Sequence, residues 1–158
     1  MKALICYYSR TGVTLKAAEK IKEITGAELY EMKPVNPYPT NYLYCCYVSK
    51  KEQYWQTPIE FSELPNIDDY DTIFIGFPIW CWQTPQHILC FLEKLNLTGK
   101  RIIPFSTSGN TDIAYSVEEI KKKCPESEVT DGCSLKYRAI DSCETPIREW
   151  LQKLKVIE

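Results

Sequence analysis

Ser9, Thr11 and Thr14 place three hydroxyls within six residues, around the lone glycine Gly12. They follow an apolar run, Ala3 to Tyr8, and precede a helical pattern. Hydroxyls at a strand-to-helix junction can hold an anion. The first N–H groups of a helix lack intrahelical partners, and the helix dipole puts partial positive charge there. Gly12 lets the backbone close on the ligand without a Cβ in the way. With no lysine in Ser9-Arg10-Thr11-Gly12-Val13-Thr14, hydrogen bonds rather than a point charge would hold a phosphate. An ordinary N-cap turn would need only one of the three hydroxyls. Neither GxxxxGK[ST] nor GxGxxG occurs, which excludes the common nucleoside-triphosphate and dinucleotide loops.

A second segment, Pro78-Ile79-Trp80-Cys81-Trp82-Gln83, carries two indoles where a loop is expected. A large indole is costly to leave in water, so each needs something to cover it. A flat aromatic ligand would do so, with Trp80 the favoured stacking surface; packing beneath a helix or at a dimer contact is the plainer alternative. The third segment, Phe105-Ser106-Thr107-Ser108-Gly109-Asn110, is a hydroxyl and glycine cluster whose backbone amides suit the polar edge of a heterocycle. A phosphorylated planar cofactor with the shape of flavin mononucleotide, FMN, fits all three.

These segments must be brought together by the elements before them. Apolar strand-like runs at Lys2 to Tyr8, Ala27 to Met32, Asp71 to Phe77, Arg101 to Thr107 and Glu128 to Lys136 alternate with amphipathic stretches. Helices are expected at Gly12 to Thr25, Pro85 to Leu95, Ser116 to Lys123 and Ser142 to Leu154, with Gly26 closing the first. The pattern predicts an α/β fold: a three-layer, doubly wound, five-stranded parallel sheet. In such sheets ligands bind beyond the carboxyl ends of the strands, where all three segments fall. Residues 34–66 are broken by prolines and rich in aromatics, with a helix expected over Asn41 to Gln53. The stretch Tyr38 to Trp55 would either wall off a substrate space or form a homodimer face.

Composition narrows the function classes. The chain has 158 residues, read as one domain over 1–158, with a 44% hydrophobic and 25% charged make-up typical of globular proteins. No apolar run approaches the roughly 20 residues of a membrane span, and no secretory signal is visible, so a cytoplasmic protein without membrane partners is expected. A net charge of −2 and the lack of a Lys/Arg stripe argue against nucleic acid. The eight cysteines form no CxxC pair and the one histidine is His87, so free thiols are expected and metal ligation is not. Cys81, in an apolar setting, is expected to be an inert thiol, and His87 to have a surface or helix-packing role rather than one in proton transfer.

Taken in order, the three segments resemble the flavodoxin family. Ser9 to Thr14 is similar to its [ST]-x-T-G-x-T phosphate loop, Gly76-Phe77-Pro78-Ile79-Trp80 to the segment after its third strand, and Thr107-Ser108-Gly109 to that after its fourth. The resemblance covers nearly the whole chain and implies strand order 2-1-3-4-5 and non-covalent FMN. It implies that Ser9, Thr11, Gly12 and Thr14, with the amides of Arg10 and Val13, hold the phosphate. Pro78, Ile79, Trp80, Cys81 and Trp82 would line the ring, and Thr107, Ser108 and Gly109 its pyrimidine edge. Trp82 departs from the small residue that relatives often carry there. No acid, base or nucleophile is then needed, because the flavin does the chemistry. Two uses compete: electron transfer with a redox partner protein, or a small oxidoreductase passing electrons from NAD(P)H to a quinone-type acceptor. A flavodoxin fold acting as a non-flavin interaction domain is the alternative.

Overall fold

The computed structural model describes residues 1–158. Its strands are β1 (Ala3–Tyr7), β2 (Glu28–Glu31), β3 (Thr72–Pro78), β4 (Arg101–Ser108), β5 (Glu128–Val129) and β6 (Cys133–Lys136). Its α-helices are α1 (Val13–Thr25), α2 (Tyr42–Trp55), α3 (Gln86–Glu93), α4 (Ala114–Lys123) and α5 (Glu144–Lys153), with a 3-10 turn at Tyr137–Ser142. The sheet order is β2-β1-β3-β4, with β5 and β6 both on the far edge of β4 and every pairing parallel.

The strands explain the layering. Every residue of β1 and β3 is buried, as expected where helices cover both faces of a parallel sheet. Side chains alternate between the two faces. Ile5, Phe74 and Phe105 meet Ile21 of α1 and Ile147 and Leu151 of α5 in one core. Cys6, Ile75 and Ile102 meet Ile88 and Phe91 of α3 and Ile120 of α4 in the other. Gly76 is fixed by close approach, since a Cβ there would lie 2.1 Å from the Phe105 ring.

The expected fifth strand, Glu128 to Lys136, is instead two short strands on one edge. Val129 pairs with Ile102 and Cys133 with Phe105, and the chain between them leaves the ladder. Pro104 supplies the reason. The Ile102 carbonyl accepts from Thr130 N–H at 3.0 Å, whereas the Thr107 carbonyl accepts from Ile79 on the β3 side. Even-numbered residues of β4 therefore face the outer edge, and proline offers no N–H there.

Helix α2 forms where one was expected, capped by Asn41, whose Oδ1 accepts the Tyr44 N–H at 2.9 Å. Only Cys45 and Ser49 of this helix are buried. It lies beside α3 and borders the carboxyl ends of the strands, where the three candidate segments meet.

Candidate functional site

The loops after β1, β3 and β4 converge on two adjoining cavities. The first, about 330 Å³, takes Ser9, Arg10, Thr11, Val13 and Thr14 from the first loop, with Pro78, Trp80 and Thr107 opposite. The second, about 620 Å³, is bordered by Ile79, Cys81 and Trp82 and by Ser108 to Thr111. Tyr42 and Tyr137 border both and join them into one cleft. A separate groove of about 550 Å³ between α2, α3 and α4 touches none of the three loops beyond Gln83 and Thr84, and its lining is mostly charged and amide side chains.

The first loop is built to receive an anion. Ser9 Oγ accepts the Gly12 N–H at 3.0 Å and closes the turn. Gly12 has φ 92°, in the left-handed region that glycine occupies without penalty. The amides of Arg10, Thr11, Val13 and Thr14 donate to no protein acceptor, unlike the N-terminus of α2, which Asn41 caps. Free amides at the start of a 13-residue helix, backed by its dipole, are an anion-binding arrangement. The Arg10 guanidinium adds positive charge at the rim: it donates to the Thr40 carbonyl at 2.9 Å and lies 5.6 Å from the Tyr42 ring centre.

Thr14 and Thr107 share a buried hydroxyl–hydroxyl bond of 2.8 Å, which ties α1 to β4. One hydroxyl donates to the other, so the acceptor keeps its own proton for a ligand in the cavity that both residues border. Ser108 behaves differently. Its Oγ donates to the Thr111 carbonyl at 2.8 Å and accepts the Thr111 N–H at 2.9 Å, so the hydroxyl holds its own loop. Ser108 and Gly109 therefore offer the second cavity their backbone.

The two tryptophans divide their roles. Trp80 is 4% exposed and meets Tyr8, Tyr38 and His87 with ring centres 5.7, 4.9 and 5.5 Å away. It presents only part of its indole to the first cavity. Trp82 is 76% exposed and borders the second. Trp80 and Gln83 exchange backbone hydrogen bonds of 3.2 and 3.1 Å, leaving Cys81 (φ 52°) and Trp82 (φ 62°) as the centre of a two-residue turn. Such turns favour Asn-Gly. Holding two side-chain-bearing residues at positive φ costs about 1–3 kcal/mol each. Gln53 of α2 steadies the turn by donating to the carbonyls of Trp80 and Thr84.

His87 lies beneath this surface, fully buried with its ring 4.4 Å from that of Tyr8. Neither ring nitrogen has a partner, and burial pushes its pKa down to about 3, so it is neutral at ordinary pH. Of the surface and packing roles open to it in the sequence, burial leaves packing.

All fourteen residues singled out in the sequence sit at this cleft; thirteen border the cavities, and Gly12 shapes the loop between them. Asn110 and Thr111 of the third loop border the second cavity as well, and Tyr42, Cys46 and Tyr137 join the cleft from outside the three segments. Tyr137 directly follows the carboxyl end of β6, so the strand-end rule that located the other loops would have found it.

The family model described as Flavodoxin matches residues 2–154. The chain belongs to the flavodoxin family. No curated protein matches its sequence. It is similar to a protein described as a flavoprotein from Bacteroides eggerthii, with 32% identity over 99% of each chain and a TM-score of 0.81. A flavoprotein from Lactobacillus acidophilus, solved in complex with FMN, is 28% identical, with 89% of this chain and 97% of that one covered and a TM-score of 0.73. The flavodoxin of Fusobacterium nucleatum, at 14% identity, 98% of each chain and a TM-score of 0.58, shares the fold. As in that family, the strand order here is 2-1-3-4-5, with the last position divided between β5 and β6. No helix of this flavodoxin-family chain is long and apolar enough to cross a membrane.

Proposed function

We propose that this flavodoxin-family protein binds FMN in the cleft and works as a redox flavoprotein. The observation that carries the reading is the set of unpartnered amides at Arg10, Thr11, Val13 and Thr14, converging with the Thr14–Thr107 hydroxyl pair on one cavity. These groups would hold the phosphate. The ring would lie toward Ile79, Trp82 and the backbone of Ser108 and Gly109, with Tyr42 and Tyr137 flanking the passage. The cofactor, when bound, supplies one- and two-electron transfer; the protein supplies position, hydrogen bonds and a sheltered setting.

The rim favours a small planar acceptor, of the quinone type, over a basic protein partner. No carboxylate borders either cavity, Arg10 is the only charged residue that does, and Tyr42 and Trp82 are exposed aromatics. Titration of the cofactor-free protein with FMN, followed by flavin fluorescence, tests the binding. A protein that leaves FMN fluorescence and absorption unchanged would be an interaction domain instead. Stopped-flow mixing of the FMN-loaded protein with NADPH tests the oxidoreductase reading, which expects direct bleaching of the flavin band. Bleaching only through a second protein would make it a shuttle.

A further inference from the structure

Six of the eight cysteines are buried, and the two that are not, Cys46 and Cys81, border the same cavity. The Cys81 thiol lies 3.6 Å from the Cys46 carbonyl oxygen, which brings the α2 backbone at Cys46 against the turn that carries Cys81. Tyr42, on the preceding turn of α2, borders the same cavity as Cys46. Cys81 is held there by backbone at positive φ, in a turn whose residue types do not favour that shape. The cavity gives both thiols access to solvent and to a ligand. Burial, with Cys46 beside it, raises the Cys81 thiol above its ordinary range, and Lys50, one helical turn beyond Cys46, opposes that in part.

We infer that Cys46 and Cys81 form a redox-active dithiol, a site that exchanges with low-molecular-weight disulfides at the open end of the cleft. The Cys46 thiolate attacks one sulfur of the disulfide RSSR, forming Cys46–S–S–R and releasing RS⁻, which takes up a proton. Cys81, once ionised, attacks the Cys46 sulfur; the Cys46–SR bond breaks, the Cys46–Cys81 bond forms, and a second RS⁻ leaves and is protonated. The protein pair loses two electrons and two protons, and RSSR becomes two RSH. The product bond would tie α2 to the Trp80–Gln83 turn across the second cavity. This departs from the sequence expectation that Cys81 is an inert thiol. Burial that raises the Cys81 pKa lowers its thiolate fraction, so its step is slow near neutral pH and quickens as pH rises.

The full-length, flavin-free protein equilibrated in oxidised and reduced glutathione tests this, with alkylation under denaturing conditions and peptide mass mapping. The expected result is loss of two of the eight alkylatable thiols, one Cys46–Cys81 linkage, and full recovery on reduction. Cys81→Ser is expected to carry one glutathione on Cys46, and Cys46→Ser to form no intramolecular bond; Cys46→Ala and circular dichroism guard against a folding defect. Two separate glutathione adducts on the unaltered protein, no reaction at either thiol, or a linkage to Cys45 would overturn the assignment. Because the readout needs no flavin, its failure would leave the FMN reading standing.

Discussion

At the scale of single residues, Thr14 and His87 make opposite kinds of prediction. The Thr14 hydroxyl is buried against Thr107 and borders the first cavity, so on the proposed reading Thr14→Val removes a phosphate contact and orphans a partner. A hydrogen bond to a charged group contributes about 1.5–3 kcal/mol. FMN affinity should therefore fall roughly tenfold or more, by fluorescence titration, while riboflavin, which lacks the phosphate, should lose far less. Equal losses would place the phosphate elsewhere. Thr14→Ser, which keeps the oxygen, should retain most of the affinity.

His87 has no polar partner and a pKa held near 3 by burial, against about 6.5 in an unfolded chain. The sign follows from linkage. Below about pH 6.5 the unfolded chain takes up a proton that the folded one refuses, so stability falls as the pH drops toward 3, and the full contribution is present above 6.5. Between pH 6 and 5 the slope from this residue should be about 1 kcal/mol per pH unit. Urea denaturation at pH 7, 6 and 5 measures it. His87→Leu should flatten that interval; an unchanged slope would mean the ring is protonated in the fold.

Among the elements, Gly76 and Phe105 show how tightly β3 and β4 are matched. A Cβ at Gly76 would meet three Phe105 ring atoms at 2.1 to 2.7 Å, so Gly76→Ala must displace the ring within a filled core. Overpacking of that kind costs about 1–3 kcal/mol, readable as a lower urea midpoint. Phe105→Leu in the same chain should restore part of the loss, and purely additive losses would assign the effect to backbone instead. The all-buried runs of β1 and β3 made the parallel sheet legible from sequence, and the three loops followed because ligands meet such sheets at strand ends. The division of the edge strand was not read, although Pro104 and Gly132 signal it: Pro104 lacks the outward N–H, and a Cβ at Gly132 would lie 2.8 Å from Ile113. The aromatic segment could not be assigned because its tyrosines acquire meaning only through contacts distant in sequence. Tyr38 is drawn inward to Trp80 and Glu52, whereas Tyr42, four residues later, borders the cleft.

For the whole molecule the deciding quantity is charge. Electrostatic steering accelerates encounter by about 10 to 10³-fold when a protein presents a strong field, and that gain disappears as salt is added. Here the net charge is −2 on 158 residues, and no carboxylate borders the cleft to concentrate a field there. Reoxidation of the reduced, FMN-loaded protein by an anionic quinone sulfonate should therefore change by less than about threefold as ionic strength rises, given a Debye length of about 30 Å at 0.01 M and 8 Å at 0.15 M. Stopped-flow traces across that range measure it directly. A tenfold decline with salt would show that local charge governs the encounter, and would favour a charged protein partner over the small acceptor that the aromatic rim suggests. The same experiment with Trp82→Ala separates charge from contact area. The salt response should stay flat, while the quinone concentration needed for half-maximal rate rises several-fold, because an indole 76% exposed beside the second cavity offers a stacking surface that alanine does not.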